Sequence, residues 1–419
     1  MMLWTAVELG QIAQLINGDR GQNYPSQLHR VASGIPFINA GHLNGGLVRT
    51  ERMDYISQER FNLLRNGRVE ENDLLLCIRG TLGRVAIATN SIVPAAIASS
   101  LVIIRPGPDV VPRYLLAFLQ SPPGQQQILS CDNGAAQPNV GAGDVARFLA
   151  PLPPLGTQRK IAAILSAYDA LIENNTRRIK ILEEMAQGIF REWFIEFRYP
   201  GHDSAEMVDP QIGSVPEGWD VVPASDAMEI NPSMRFDRSA ARPFVPMTSL
   251  SETVMHFEPV ETRITSSGAR FQNGDTLFAR ITPCLENGKT AFTQGLGQGV
   301  VASGSTEFIV MRGRRVSPQY TYLLARSGPF RDHAIKSMSG ATGRQRVRED
   351  SFDIFLLALP PRELMQRFTD GVEPMFMLSA RLFQQVRKLR AARDLLLPRL
   401  ISGEIDVENL DIAIEDAAA

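Results

Sequence analysis

The residues of this chain with the most evident chemistry are arginines, glutamines and small polar side chains set beside glycines. The string GATGRQRVR at 340–348 places Arg344, Arg346 and Arg348 around Gln345. A guanidinium fork matches the O6 and N7 edge of guanine, and a carboxamide matches adenine, so this loop has the composition of a base reader. Gly340 and Gly343 would let its backbone approach a groove closely. Loops 280–289 and 303–306 have the same character and offer Arg280, Thr282, Asn287, Lys289, Ser303 and Ser305. Earlier in the chain, loops 17–26, 79–84 and 134–139 offer Arg20, Asn23, Tyr24, Arg79, Thr81, Arg84, Gln137 and Asn139. Within the later set, Arg344 and Gln345 suit base edges, while Lys289, a point charge after Gly288, suits a phosphate.

Other chemistries lack their residues. No GxxxxGK[ST] loop, GxSxG elbow or HExxH spacing occurs, and His29, His42, His202, His256 and His333 stand isolated. An adenine methyltransferase would need a glycine-rich cofactor loop and an Asn-Pro-Pro-aromatic motif. The nearest strings, Gly295-Leu296-Gly297-Gln298-Gly299 and Asn231-Pro232-Ser233, read as turns. Cys77, Cys131 and Cys284 are scattered and never form a CxxC pair, which argues against disulfides and thiolate zinc and for a reducing compartment. The expectation is therefore a chain without catalytic residues, metal or cofactor of its own.

The 419 residues, 44% hydrophobic and 21% charged, are enough for several globular domains and exclude a disordered or fibrous chain. Net charge is -2, but Glu404, Asp406, Glu408, Asp411, Glu415 and Asp416 form an acidic tail, and the remainder is net basic. Only Lys160, Lys180, Lys289, Lys336 and Lys388 are lysines among 43 basic residues; this arginine excess fits phosphate and guanine recognition and fits a GC-rich genome equally. No apolar run reaches the ~18 residues of a membrane span, and the start MMLWTAVELG lacks a basic n-region, so a cytoplasmic protein is expected.

These loops must be positioned by a frame, and the frame is duplicated. Arg105 and Arg312 stand 207 positions apart inside the matching runs AIASSLVIIRP and ASGSTEFIVMRG. Trp4 and Val7 correspond to Trp219 and Val222, and IPFINAGHL corresponds to FVPMTSL. NDLLLCIRGTLGRVAIA corresponds to GDTLFARITPCLENGKTAF, and FLAPLPPLGTQRK to FLLALPPRELMQR. Each copy reads as short strands with one helix, at 113–121 and 319–327, followed by a long helical pattern. In the first pattern Ile161, Tyr168, Asn175, Leu182 and Ile189 step by seven with Ile164, Leu171 and Met185 beside them, a seam interrupted at Arg178. In the second, Met375, Leu382, Leu389 and Leu396 step by seven beside Val372, Val386 and Leu400, with a break expected at Gly371 and Pro374. A helix from about 157 to 196 would be ~60 Å long, so two such helices most simply pair with each other.

This order of globule, LPPL with a following Gln, long helix, second globule, LPPR and second long helix resembles the specificity subunit of type I restriction-modification systems. NGDTLFARITPCLENGK (273–289) is similar to a strand-loop motif of that family's target recognition domains, and INGDRGQNYPS (16–26) to the opening of another group. LPPLGTQRKIAAILSAYDALIENN is similar to its central spacer, and PEGW (216–219) to the start of its second recognition domain. The distal LPPRELMQRFTDGVEPMF departs from the pattern.

The resemblance implies an α/β (α+β) fold of two similar recognition domains on two long helices that form an antiparallel coiled coil. The boundaries would be 1–154 and 200–360 for the domains, 155–199 and 361–402 for the helices, and 403–419 for the tail. It implies a non-catalytic reader of double-stranded DNA, each domain taking half of an asymmetric bipartite site and the helices fixing the gap. The partners would be two methyltransferase subunits, which use S-adenosylmethionine, and restriction subunits, which use ATP and Mg. Ile189, Phe190, Trp193 and Phe194 are expected to be exposed on the helix as a partner-docking patch. The other reading of the residues is a protein-protein scaffold made of a duplicated binding module on a helical ruler.

Overall fold

The computed structural model describes residues 4–131, 139–209, 212–237, 239–258, 261–264, 267–341 and 343–413. The chain divides into two compact units, residues 1–171 with 388–419, and residues 172–387.

In the first unit the six leading strands are β1 (Ala13–Asn17), β2 (Ile35–Ile38), β3 (Leu74–Cys77), β4 (Val85–Ile87), β5 (Ala95–Ile97) and β6 (Leu101–Pro106). One sheet runs β1-β6-β3-β4 and continues into Gly46–Val48 and Leu43–Asn44; a second places β2 parallel to β5. Leu74 to Ile78 and Leu101 to Ile104 are buried throughout, as a strand covered on both faces must be. Helices α1 (Pro112–Gln120) and α2 (Pro122–Ser130) follow, each with proline in its first turn, where no N–H is needed. Tyr114 of α1 donates its hydroxyl to Pro151 O at 2.8 Å, which ties the helix to the end of the domain.

The second unit repeats this frame. Its strands are β7 (Met228–Ile230), β8 (Arg242–Val245), β9 (Thr276–Ala279), β10 (Thr290–Phe292), β11 (Ala302–Gly304) and β12 (Phe308–Gly313). They order as β7-β12-β9-β10 in one sheet, with β8 parallel to β11 in the other. Helices α4 (Pro318–Arg326) and α5 (Gly328–Lys336), each with proline in its first turn, take the places of α1 and α2. The strand order and the mixed pairing recur, so the repeat seen in sequence is a repeat of fold.

Two long helices cross the sequence boundary between the units, α3 (Leu155–Phe194) and α6 (Arg362–Ser402). In the first unit Ile161 and Leu165 share a core with Leu400 and Ile401, and Arg393 reaches Asp169 at 2.7 Å. In the second, Asn175 lies 3.5 Å from Gln385, and Phe190 packs on Phe368 with ring centroids 6.3 Å apart. Partner numbers fall along α6 as they rise along α3, so the pairing is an antiparallel coiled coil.

The seam differs from the expected one. Its second row is Leu165, Ile172, Ile179 and Ala186, all buried, four residues after the row of Ile161, while Leu171 and Met185 are half exposed. Taking the i+4 neighbours closes the apparent gap at Arg178, because Ile179 fills that layer. The expected break in α6 is also absent, since the helix runs unbroken through Gly371 and Pro374. Both lie on its exposed side, while Val372 and Phe376 are buried in the aromatic core. The missing proline N–H removes one ladder bond, and the packing on the opposite face holds the turn.

The acidic tail is docked as far as it is described. Val407 is fully buried in the first unit, and Lys160 donates to Glu408 O and Leu410 O at 2.7 and 3.0 Å.

Candidate nucleic-acid interface

Each unit builds its candidate site on one hairpin, β3–β4 or β9–β10, and holds that hairpin in the same three ways. The first is a buried ion pair at the hairpin's base. Asp73 and Asp275 are each 1% exposed and accept from Arg105 and Arg312 at 2.8 and 2.7 Å. The same carboxylates cap Glu70 N and Gln272 N. Hydrogen bonds to these aspartates raise the pKa of both guanidiniums, which are permanently charged.

The second is a basic strut. Arg84 donates to Ala40 O at 3.3 Å, and Lys289 donates to Met247 O at 3.2 Å. Ala40 and Met247 each open the short 3-10 turn after β2 or β8, Ala40–His42 or Met247–Ser249. Half-buried Lys289 thus spends one of its three donors on a carbonyl; the rest of the exposed Arg84 fork remains on the surface.

The third is a grip on the hairpin glycine from the helix pair. Gln125 of α2 donates to Gly83 O at 2.9 Å, and Arg326 of α4 donates to Gly288 O at 2.8 Å. Arg331 adds bonds to Leu285 O and Glu286 O at 3.0 and 3.1 Å. Burial, with Arg326 adjacent, lowers the pKa of Arg331. Gly83 and Gly288 have φ of +83 and +89, and a Cβ at Gly83 would stand 2.3 Å from Gln125 Oε1. The left-handed conformation favours glycine at both positions, and a Cβ at Gly83 would also push the end of the Gln125 side chain from its place.

On this frame the hairpin meets a loop far away in sequence. In the first unit Arg79 and Asn139 form an isolated antiparallel bridge, and Arg79 Nε donates to Asn139 Oδ1 at 3.0 Å. Thr81 is exposed beside them. Gln137 lies outside the described residues. In the second unit Ile281 and Arg346 form the equivalent bridge, while Thr282 N donates to Gln345 O at 3.1 Å. Arg346 also places Nε and Nη2 on the Glu307 carboxylate at 2.8 to 3.1 Å. That guanidinium holds Glu307 below the usual carboxylate range. Arg344 is exposed, Arg280 lies 3.8 Å from Glu349, and Asn287 donates to Glu252 at 3.2 Å. Arg79, Thr81, Arg84 and Asn139 are thereby gathered in one unit, and Arg280, Thr282, Asn287, Lys289, Gln345 and Arg346 in the other.

Other candidates lie elsewhere. Of Arg20, Asn23 and Tyr24, Tyr24 sits against the second sheet, meeting Phe37 edge-on at 5.9 Å, Arg20 is exposed, and Arg60 holds Gln22 O and Tyr24 O. Ser303 is 1% exposed on β11 between β8 and the strand Ala269–Phe271, so it cannot touch a ligand at the surface. Ser305 uses its hydroxyl to cap Glu307 N. The patch expected at the end of α3 is largely internal: Phe190 and Phe194 are 3% and 6% exposed in the aromatic core, with Ile189 and Trp193 half buried against it. The cluster of Tyr320, Phe368 and Trp219 covers these rings, which removes them as a docking surface.

A layer of arginines stacked on phenylalanines escaped the sequence reading. Arg30 lies 3.9 Å over Phe37 and Arg263 4.0 Å over Phe244. Phe37 and Phe244 hold the same place in the frame, opposite Ala96 on β5 and Ser303 on β11. Phe236 lies between Arg242 and Arg270 at 4.1 Å from each. Alternating Arg and Phe in RFDRSAARPF was the available signal.

Among the described residues no group of three or more His, Cys, Asp or Glu could hold a metal ion, and no helix is long and apolar enough to cross a membrane. Cys77 is buried, and its burial pushes the thiol pKa up, which suits packing and not nucleophilic attack.

Comparison with known proteins agrees with this architecture. The type I restriction modification DNA specificity domain family matches residues 1–184. The chain is 25% identical to the MjaIX type I restriction enzyme specificity subunit of Methanocaldococcus jannaschii, over 80% of this chain and 78% of that protein. It is 28% identical to the EcoEI specificity subunit of Escherichia coli, over 49% of this chain and 35% of that protein. Among solved structures, the S subunit of a type I restriction-modification system from M. genitalium superposes with a TM-score of 0.56 at 12% identity, covering 95% of this chain and 96% of that one. With the duplicated α/β units and the antiparallel helix pair, these matches make the chain similar to type I restriction-modification specificity subunits, in sequence over residues 1–184 and in fold over nearly its whole length.

Proposed function

We propose that this chain directs a type I restriction-modification complex to its DNA site, each unit reading one half of an asymmetric bipartite sequence. The observation that carries the reading is the pair of hairpins: they share an anchor, a strut and a glycine grip, yet differ at the exposed positions between them. The first offers Arg79, Thr81 and Asn139; the second offers Ile281 and Arg346, with the Thr282 hydroxyl buried. Equal frames with unequal polar tips suit two different half-sites, whereas two identical readers would specify a palindrome.

The chain supplies recognition and no bond chemistry. Methylation falls to two methyltransferase subunits carrying S-adenosylmethionine, and cleavage to restriction subunits carrying ATP and Mg, in the cytoplasm. Residues 1–154 and 200–360 act as the recognition domains, 155–199 and 361–402 as spacer helices, and 403–419 as a tail. With Phe190 and Phe194 buried, docking passes to the solvent face of α3, where Ile181 and Met185 are exposed one turn apart.

Methylome sequencing of cells with and without the chain tests the reading, and a split adenine-methylated motif that vanishes with the chain is expected. Replacing residues 214–360 by the same region of a relative should change one half of that motif. Change in both halves or in neither would refute independent reading. Binding should also fall steeply with salt as counterions compete for phosphates.

A further inference from the structure

The two units place one braced arginine each at the same backbone bridge, but on opposite sides of it. In the first unit the arginine is on the hairpin, Arg79, and its bridge partner Asn139 braces it through Nε. In the second the hairpin position is Ile281, and the arginine is on the opposing loop, Arg346, braced by Glu307. Asn139 and Arg346 are 207 positions apart, the interval of the repeat. The brace also changes with the site: Ser100 and Glu307 immediately precede β6 and β12 and give their carbonyls alike to Ile78 N and Arg280 N, but only Glu307 has a carboxylate to hold an arginine.

The bonding leaves the reading edge of the fork open. Arg346 has five N–H donors. Glu307 takes those of Nε and one on Nη2, and Arg344 O lies 3.4 Å from Nη1. One hydrogen on each terminal nitrogen remains, along the outer edge that matches guanine O6 and N7. Arg79 is held only through Nε, so its two terminal nitrogens have no partner among the described residues. Both side chains are partly exposed, and a fork fixed on one edge loses less freedom on engaging a base.

Resting on the DNA-reading assignment above, we infer that Arg79 and Arg346 each specify one guanine, in different half-sites, and that Asn139 and Glu307 are the positioning residues that aim them.

The test uses the full chain assembled with its methyltransferase and duplexes carrying the methylated motif, with single-base variants at every specified position. A second duplex series replaces each guanine by 7-deazaguanine, which removes N7 alone and needs no change to the protein. Wild-type complex should lose affinity roughly 10-fold at one guanine per half-site on 7-deaza substitution. Arg346→Ala should become insensitive to it at one of those guanines and keep full sensitivity in the other half-site; Arg79→Ala should do the converse. Glu307→Ala should lower discrimination at the Arg346 guanine only, and Glu307→Gln, which still accepts a bond, should restore part of it. The inference is overturned if Arg346→Ala weakens all duplexes alike, if it keeps its sensitivity to every 7-deazaguanine, or if either half-site contains no guanine. A wild-type complex with no sequence preference would overturn the DNA reading itself, an outcome separable from the others because it precedes any substitution.

Discussion

His256 should make the second unit sensitive to mild acid. Its imidazole is buried, shares a 2.7 Å hydrogen bond with Ser379 of α6 and stacks on Phe383 with centroids 4.6 Å apart. Burial lowers its pKa from 6.5 to about 4. The unfolded chain therefore binds a proton between those values that the folded unit refuses, so stability falls as pH drops from 6.5 toward 4. The full shift corresponds to about 3 kcal/mol, of which about 2 kcal/mol should be lost between pH 7 and 5. With a urea dependence of about 2 kcal/mol per molar, the midpoint should move down by about 1 M.

Other groups titrate nearby and must be separated. Met255 N donates to Glu183 Oε2 at 2.8 Å, and burial raises the Glu183 pKa despite the Tyr322 hydroxyl and Arg326. Glu183 pulls the other way: above its unfolded pKa the folded unit binds the extra proton, so acid relieves part of its cost. His256→Gln keeps a neutral hydrogen-bonding side chain and cannot titrate, so the difference between wild type and variant isolates the histidine. Urea unfolding at pH 7, 6 and 5, followed by the fluorescence of Trp193 and Trp219 in that core, is the assay. If the two proteins show parallel pH dependence, the buried neutral histidine is not the cause.

Three further outcomes test the frame. Arg312→Met should strand the buried Asp275 carboxylate and cost about 3 to 5 kcal/mol in urea unfolding, and a loss under about 1 kcal/mol would contradict the ion-pair anchor. Gly83→Ala should cost more than Gly80→Ala, because both have φ near +82 but only the first Cβ would displace the Gln125 amide that bonds Gly83 O; Gly80 has nothing within 4 Å and should lose only about 1 kcal/mol to left-handed strain. Equal losses would mean that the glycine grip does not constrain the loop. Val407→Ala should destabilise the first unit by about 2 kcal/mol, and an unchanged melting temperature would show that the tail is not part of the core.

Periodicity carried the fold a long way, and its failures have local causes. The row of Ile161 was legible because apolar residues recur every seven positions, but Ile164 and Leu171 disguised the true second row at Leu165 and Ile172. Only Arg178, uncharacteristic of a seam, argued for the i+4 choice. On α6 the corresponding layers are filled by Ser379 and Arg393, polar residues that no hydropathy pattern would place inside. Their partners are tertiary: His256 for Ser379 and Asp169 for Arg393. The hairpin loops could be found from glycine and arginine spacing. The bridges from Arg79 to Asn139 and from Ile281 to Arg346 could not, because each joins segments about sixty residues apart. Phe190, Trp193 and Phe194 looked exposed only because one helix was considered without the globule that follows it.

The comparison of the two copies separates what holds the reader from what reads. Asp73 with Arg105 and Asp275 with Arg312 are identical in type and in exposure, as expected of a structural anchor indifferent to the ligand. Arg84 and Lys289 differ in side chain, yet each bonds the carbonyl that opens the same 3-10 turn, so the requirement there is a cationic donor of sufficient reach. At the bridge the identities exchange: arginine moves from the hairpin to the opposing loop, and its brace changes from an amide to a carboxylate. A position whose chemistry varies while its backbone pairing is kept can change specificity without disturbing the fold. On the proposed function, that physical division is what would let one half-site be rewritten while its frame stays intact.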